Sequence, residues 1–234
     1  MTTDALVDRL SNGEMEVLGL LPYASNATLL ARVGEGDDAL LAVYKPRRGE
    51  RPLWDFPDGT LCRREYAAWL VDRALGWELV PPTVLRDGPA GFGAVQLFID
   101  EDEEVDVRDL LETHEDDLRR VALYDVAVNN ADRKAGHLVV DRSGRLWSVD
   151  HGICFAAEPK LRTVIWAFEG DAIDPKLLSD LESLRSSRDT FNALGEQLHI
   201  DETEALCSRL ETLLRTKRYP SPAPGGRHVP WPPW

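Results

Sequence analysis

The chain has 234 residues, 43% hydrophobic and 29% charged, ordinary proportions for a globular protein with a core of its own. Its 41 acidic and 27 basic residues leave a net charge of −14, which argues against nonspecific nucleic-acid binding and against a polybasic membrane contact. No apolar run approaches membrane-spanning length, MTTDALVDRL lacks a leader pattern, and Cys62, Cys154 and Cys207 form no CxxC pair, so a cytoplasmic protein with reduced thiols is expected.

Residues 4–11 are predicted to form a short amphipathic helix, with Leu6, Val7 and Leu10 on one face and Gly13 at its end. Residues 14–20 and 29–33 are predicted strands around the turn formers Pro22, Ser25 and Asn26, a small polar tip suited to offering N–H groups to a phosphate. Residues 39–44 are apolar throughout and read as a strand buried on both faces, ending in Lys45 and Pro46. An ammonium there is costly to bury unless it meets an anion or snorkels to the surface.

A polar insertion, residues 47–60, carries Trp54 and Phe56 and leads into a predicted helix over 61–75. Glu65 lies one turn before Trp69 on its apolar side, so a cation is expected beside it, and Lys45 is the natural candidate. Gly76 ends the helix. Two further strands are expected at 80–85 and 94–99, joined by a Gly/Pro turn over 87–93. Residues 100–117 hold eleven carboxylates against Arg108 alone and read as a solvated linker and helix face.

The next stretch organises the chain. Residues 118–128 suit a buried helix, 129–136 a polar loop, and 137–140 with 146–149 a hairpin around a turn at 141–144. Asp132 precedes the first strand and Asp150 follows the second, so both carboxylates fall at one end of the hairpin. Phosphoryl transfer needs such a pair, one to orient the attacking hydroxyl and one to hold Mg²⁺. Helices are expected at 175–185, 189–198 and 201–214. The tail from Lys217 holds six prolines, Trp231 and Trp234. It is expected to be extended or partly disordered, its tryptophans docking on the body or on a second subunit of a homo-oligomer. Buried, Cys154 is expected to act as a small hydrophobe.

These residues, in this order, resemble a protein-kinase-like fold over roughly residues 14–170, and the motifs are most similar to the phosphoinositide-kinase-like branch in an actinobacterial form. Asp132-Arg133-Lys134-Ala135-Gly136-His137 resembles the branch's Asp-Arg-His-x-x-Asn catalytic loop, Asp150-His151-Gly152 its Asp-x-Gly metal triplet, and Val43-Tyr44-Lys45-Pro46 its nucleotide-lysine strand. The resemblance implies an α+β bilobal fold: an N-lobe of antiparallel strands and one helix over 1–99, a small helical C-lobe over 100–217, and a tail over 218–234.

It also implies ATP with Mg²⁺, or Mn²⁺, as cofactors. Lys45, steadied by Glu65, would contact the α-phosphate. Ser25 and Asn26 would lie over the phosphates, and residues 96–99, among them Gln96 and Phe98, would hold adenine by their backbone. Asp132 would be the catalytic base, Lys134 would neutralise charge on the transferred group, and Asp150 would bind the metal. His137 stands where the branch carries a metal-binding Asn. Imidazole suits Mg²⁺ poorly, so His137 plays another part, or Asn129 or Asn130 supplies the oxygen, or another metal is used. The acceptor is a protein hydroxyl, the chain's own included, or a small molecule. A nucleotide-binding scaffold without turnover and a protein nucleotidyltransferase are the alternatives.

Overall fold

The computed structural model describes residues 1–22, 26–223 and 225–234. Helix α1 (Thr3–Asn12) starts where the Thr2 hydroxyl accepts the Ala5 N–H at 3.4 Å. Five antiparallel strands form one sheet: β1 (Met15–Leu20), β2 (Leu29–Val33), β3 (Leu40–Pro46), β4 (Thr83–Gly88) and β5 (Gly91–Leu97), in the order β1-β2-β3-β5-β4. One face buries Ala31, Val33, Ala42, Tyr44 and Val95 with Leu10 of α1. The other face turns Val43 and Lys45 toward a cleft.

Strand β3 departs from the expectation of burial on both faces. Ala42, Tyr44 and Pro46 are buried, whereas Leu41 on the opposite face is 43% exposed. The sheet has its packed core on one side, so alternate residues share one environment. Strands β4 and β5 lie about three residues from their expected positions and are joined by a tight turn at Gly88–Gly91. Gly93 permits the close pairing of β5 with β3, because a Cβ there would lie 2.6 Å from the Pro46 Cα.

Helix α2 (Leu61–Leu75) enters between β3 and β4 and ends at Gly76 in the left-handed conformation, φ 67°. The rest is mostly helical: α3 (Leu110–Thr113), α4 (Glu115–Val128), the hairpin β6 (Leu138–Val140) and β7 (Leu146–Ser148), then α5 (Pro175–Ser186), α6 (Arg188–Gly195) and α7 (Ile200–Thr216). The fold class is α+β with an antiparallel sheet. Val121, Tyr124, Phe155, Leu181 and Leu206 share one large core with the inner side of α2. The Tyr124 hydroxyl donates to the Ala68 carbonyl at 2.6 Å, and buried Arg64 donates to the Cys154 carbonyl at 2.6 Å while pairing with Glu202 of α7. Helix α2 is thereby fixed to the helical half, and Glu65 with it. Cys154 is fully buried, as expected of a small hydrophobe, and burial pushes its thiol well above the usual range.

The tail contains no helix among its described residues and docks on the body. The Pro233 carbonyl accepts the Ala135 N–H at 2.9 Å, and the His228 carbonyl accepts the Thr163 N–H at 2.9 Å. The Trp231 and Trp234 rings remain exposed. Among the described residues no helix is long and apolar enough to cross a membrane.

Candidate active site

Lys45 lies opposite Ala94 in the β3–β5 ladder. Its ammonium pairs with Glu65 of α2 and stands 3.0 Å from Asp150 Oδ1. The expected Lys45–Glu65 partnership is present, and Glu65 does more: its Oε2 accepts the His151 N–H at 3.0 Å. Helix α2 is thus tied to strand β3 and to the Asp150-His151-Gly152 turn at once. Asp150 adopts φ 61°, a left-handed conformation that Asp tolerates better than most residues.

The charges perturb one another. Burial would lower the Lys45 ammonium, but the Asp150 and Glu65 carboxylates outweigh it and hold Lys45 above its usual range. Lys45 in turn holds Asp150 well below the usual carboxylate range. Burial pushes Glu65 upward, with Lys45 opposing. The Asp150 side chain is 49% exposed, open to the cleft.

Asp132 and Lys134 come from the loop between α4 and β6. Lys134 Nζ is 3.2 Å from Asp132 Oδ2. Burial raises Asp132 above the usual carboxylate range; Lys134 opposes it and Asp150 adds to it. The cleft, about 510 Å³, is lined by Asn26, Lys45, Glu65, Gln96, Phe98, Asp132, Lys134, His137 and Asp150. Nine of the eleven expected site residues therefore border one cavity. Ser25 lies outside the described residues.

Asn130 departs from its expected role as a metal ligand. It is 1% exposed, its amide donates to Asp125 Oδ1 at 3.0 Å, and its Oδ1 accepts the Asp132 N–H at 3.0 Å. The amide braces the loop from behind and does not reach the cleft. Asn129 is likewise taken up: it donates to the Ala156 and Glu158 carbonyls and accepts the Lys160 N–H.

His137 borders the cleft in a different capacity. Its Nδ1 faces the Lys134 N–H at 3.4 Å, which leaves the proton on Nε2, 3.4 Å from Asp150 Oδ2. In that tautomer it offers Asp150 a hydrogen and a metal no lone pair. Backbone readout of adenine over 96–99 is narrower than expected. The Leu97 N–H goes to the Pro82 carbonyl and the Phe98 N–H to the Leu41 carbonyl, so Ile99 is the first residue there whose N–H has no partner among the described residues. The Gln96 side chain donates to Thr83 Oγ1 at 2.8 Å inside the sheet. Asn26 accepts the Arg51 N–H at 2.9 Å, which clamps the turn after β1 onto the insertion.

A metal fits this donor set in one manner. Among the described residues no three His, Cys, Asp or Glu side chains converge into a cage. Mg²⁺ is commonly held by one or two carboxylates together with substrate phosphates, and Asp150, ionised and open to the cleft, is suited to that.

Asp125, Arg133 and His151 were not anticipated. Arg133 is fully buried, its guanidinium pairs with Asp125 at 3.0 Å, and it donates to the Val149 carbonyl at 2.8 Å. His151 Nε2 lies 2.8 Å from Arg133 Nη2 and accepts from it, because burial and then the Arg133 charge hold the imidazole well below its usual range and hence neutral. One buried arginine thus joins α4, the Asp132 loop and the turn carrying Asp150. The signals available were an Asp inside the apolar helix pattern and the Arg that follows Asp132.

Burial pushes His137 from 6.5 down to about 4. The unfolded chain therefore binds a proton between those values that the folded chain does not, so stability is fully present above pH 6.5 and falls as pH drops toward 4. The expected loss from this group is about 3 kcal/mol. Urea midpoints at neutral pH and near the lower value should diverge more in the wild type than in His137→Asn; equal divergence would contradict the account.

This arrangement, a five-stranded sheet with one inserted helix above a helical half, is a protein-kinase-like fold. Superposition on the Golgi casein kinase solved with Mn/ADP bound gives a TM-score of 0.58 at 14% identity, over 92% of this chain and 75% of that one. The chain belongs to the family of Protein Rv2133c from Mycobacterium tuberculosis, to which it is 40% identical over 95% of its own length and 93% of that protein's. Phosphatidylinositol 4-kinase gamma 4 of Oryza sativa is 28% identical over 48% of this chain, and the match spans 23% of that enzyme. No family model matches.

Proposed function

We propose that the chain is an ATP-dependent phosphotransferase of the phosphoinositide-kinase-like branch, transferring the γ-phosphate to a protein hydroxyl, its own included, or to a small molecule. The observation that carries this reading is the triple contact of Lys45, Glu65 and Asp150 in the cleft that Asp132 and Lys134 also border. Lys45 would meet the α-phosphate, with Glu65 holding it in place. The Ile99 N–H would take adenine, and Asn26 would border the phosphates. Asp150 would hold Mg²⁺ or Mn²⁺, which when bound would supply positive charge to offset that of the phosphates. Asp132 orients the acceptor hydroxyl and takes its proton, and Lys134 offsets the charge spreading over the transferred group. The solved neighbour with Mn/ADP supports the choice of cofactors. The match covers a quarter of the plant lipid kinase, so a lipid acceptor does not follow from it.

A second reading is favoured by His137, which stands at the branch's metal-binding Asn with its Nε2 3.4 Å from Asp150 Oδ2: nucleotide binding without turnover. Incubation with γ-labelled and, separately, α-labelled ATP decides. Transfer of γ-label alone is expected. Tight ATP binding with no transfer would establish the second reading, and transfer of α-label would mean nucleotidylation. Asp150→Ala should abolish both metal-dependent ATP binding and transfer. Full activity in that variant would refute the assignment.

A further inference from the structure

A second cavity, about 500 Å³, lies beyond the end of β3, between the 47–59 insertion and the β4–β5 turn. Three arginines border it: Arg47, Arg48 and Arg51. In a chain of net charge −14, none of their guanidinium groups makes a hydrogen bond or ion pair with any described residue. The three side chains are exposed, and arginine's planar fork is suited to bidentate contact with phosphate oxygens. Asp58, exposed, is on the rim, and Glu50 is engaged elsewhere: its two carboxylate oxygens accept the Leu61 and Cys62 N–H groups at 3.1 and 2.8 Å, capping α2. The apolar wall is Phe56 and Phe92. Arg47 is seated, not loose: its guanidinium packs onto Gly59, where φ is 72° and any side chain would collide with it.

We propose that this cavity is an anion site built for a phosphate monoester, the phosphoryl group on the arginines and the organic part against Phe56 and Phe92, and that its occupancy is transmitted to the cleft. The transmission follows from what the 47–51 segment touches. Glu50 caps the helix that carries Glu65. The Arg51 N–H and the Gly49 carbonyl hold Asn26 and Ala27 at 2.9 and 3.0 Å, on the cleft's upper edge. A ligand gripping the arginines therefore bears on both. The binding site stands independently of the phosphotransferase reading; its effect on nucleotide affinity rests on it.

The test is calorimetry on the full chain without nucleotide, using inorganic phosphate, phenyl phosphate and a phosphoserine peptide as probes. Phenyl phosphate is expected to bind at least about tenfold more weakly to the Arg48→Gln/Arg51→Gln variant, whose exposed positions leave the core untouched. Lys45→Met should bind it like the wild type, which separates this cavity from the nucleotide cleft. Tighter binding of the peptide than of phenyl phosphate identifies a phosphorylated protein as the source, and the reverse a small metabolite. Saturable binding by none of the three, or binding unchanged in the double variant, overturns the site. By reciprocity, an ATP analogue should bind with altered affinity when phenyl phosphate saturates the wild type, and with unaltered affinity in the double variant. Phosphate-ester binding with no ATP binding in any form would leave the site standing and sink the phosphotransferase reading.

Discussion

Asp132→Asn is expected to lower the rate of phosphoryl transfer by about 10²- to 10⁴-fold, the usual worth of a positioned proton acceptor, while changing ATP affinity by no more than about threefold. The split follows from position. Asp132 borders the cleft without touching Lys45, Glu65 or the triplet turn that would hold the nucleotide; its side-chain partner is Lys134. The asparagine keeps the shape, and the backbone N–H that Asn130 accepts is unchanged. What is lost is the charge and the lone pair that takes a proton. Because burial raises Asp132, with Asp150 adding and Lys134 opposing, the acid limb of the kcat/KM profile should lie above the ordinary carboxylate range, and activity should fall as pH drops through it. Lys134→Met removes the opposing charge and should move that limb to higher pH. A variant Asp132→Asn that turns over at the wild-type rate would remove the residue from the chemistry.

Much of this was legible from residue type and order, because a charge at an apolar position demands a counter-charge wherever it lies. Glu65 inside an apolar helix face demands a cation, Lys45 at the end of a strand demands an anion, and each finds the other. The hairpin flanked by Asp132 and Asp150 follows from two short apolar runs on either side of a polar turn. What could not be read is which partner each polar group takes in the folded chain. Whether Asn130 faces the cleft or the core depends on Asp125, and no pattern local to the loop says that the amide is already engaged. The His137 tautomer is set by one backbone N–H three residues away. The shift of β4 and β5 reflects pairing with β3 that single-strand propensity does not encode. The docking of the tail backbone on the body is equally unreadable from its composition, since proline-rich segments donate few hydrogen bonds but still accept them.

Breaking the Arg133–Asp125 pair should have the largest effect on stability of any single change at the site. Both side chains are fully buried. Asp125→Asn leaves a guanidinium without its counter-charge in the core, which costs about 3–5 kcal/mol. The urea midpoint should fall accordingly, with an unchanged denaturant slope. The double variant Asp125→Leu/Arg133→Met discriminates between stability and positioning. Removing both charges removes the desolvation penalty along with the attraction, so part of the lost stability should return, the Asn130 amide and the Val149 carbonyl left unpaired accounting for the remainder. Activity should not return, because nothing then holds the Val149 carbonyl and His151 against the Asp132 loop. Stability recovered without turnover is thus the signature of a residue that acts by positioning the two cleft carboxylates, Asp132 and Asp150. If the double variant regained both, the pair would be a structural ion pair with no bearing on the cleft. If Asp125→Asn cost less than about 1 kcal/mol, the burial argument itself would fail.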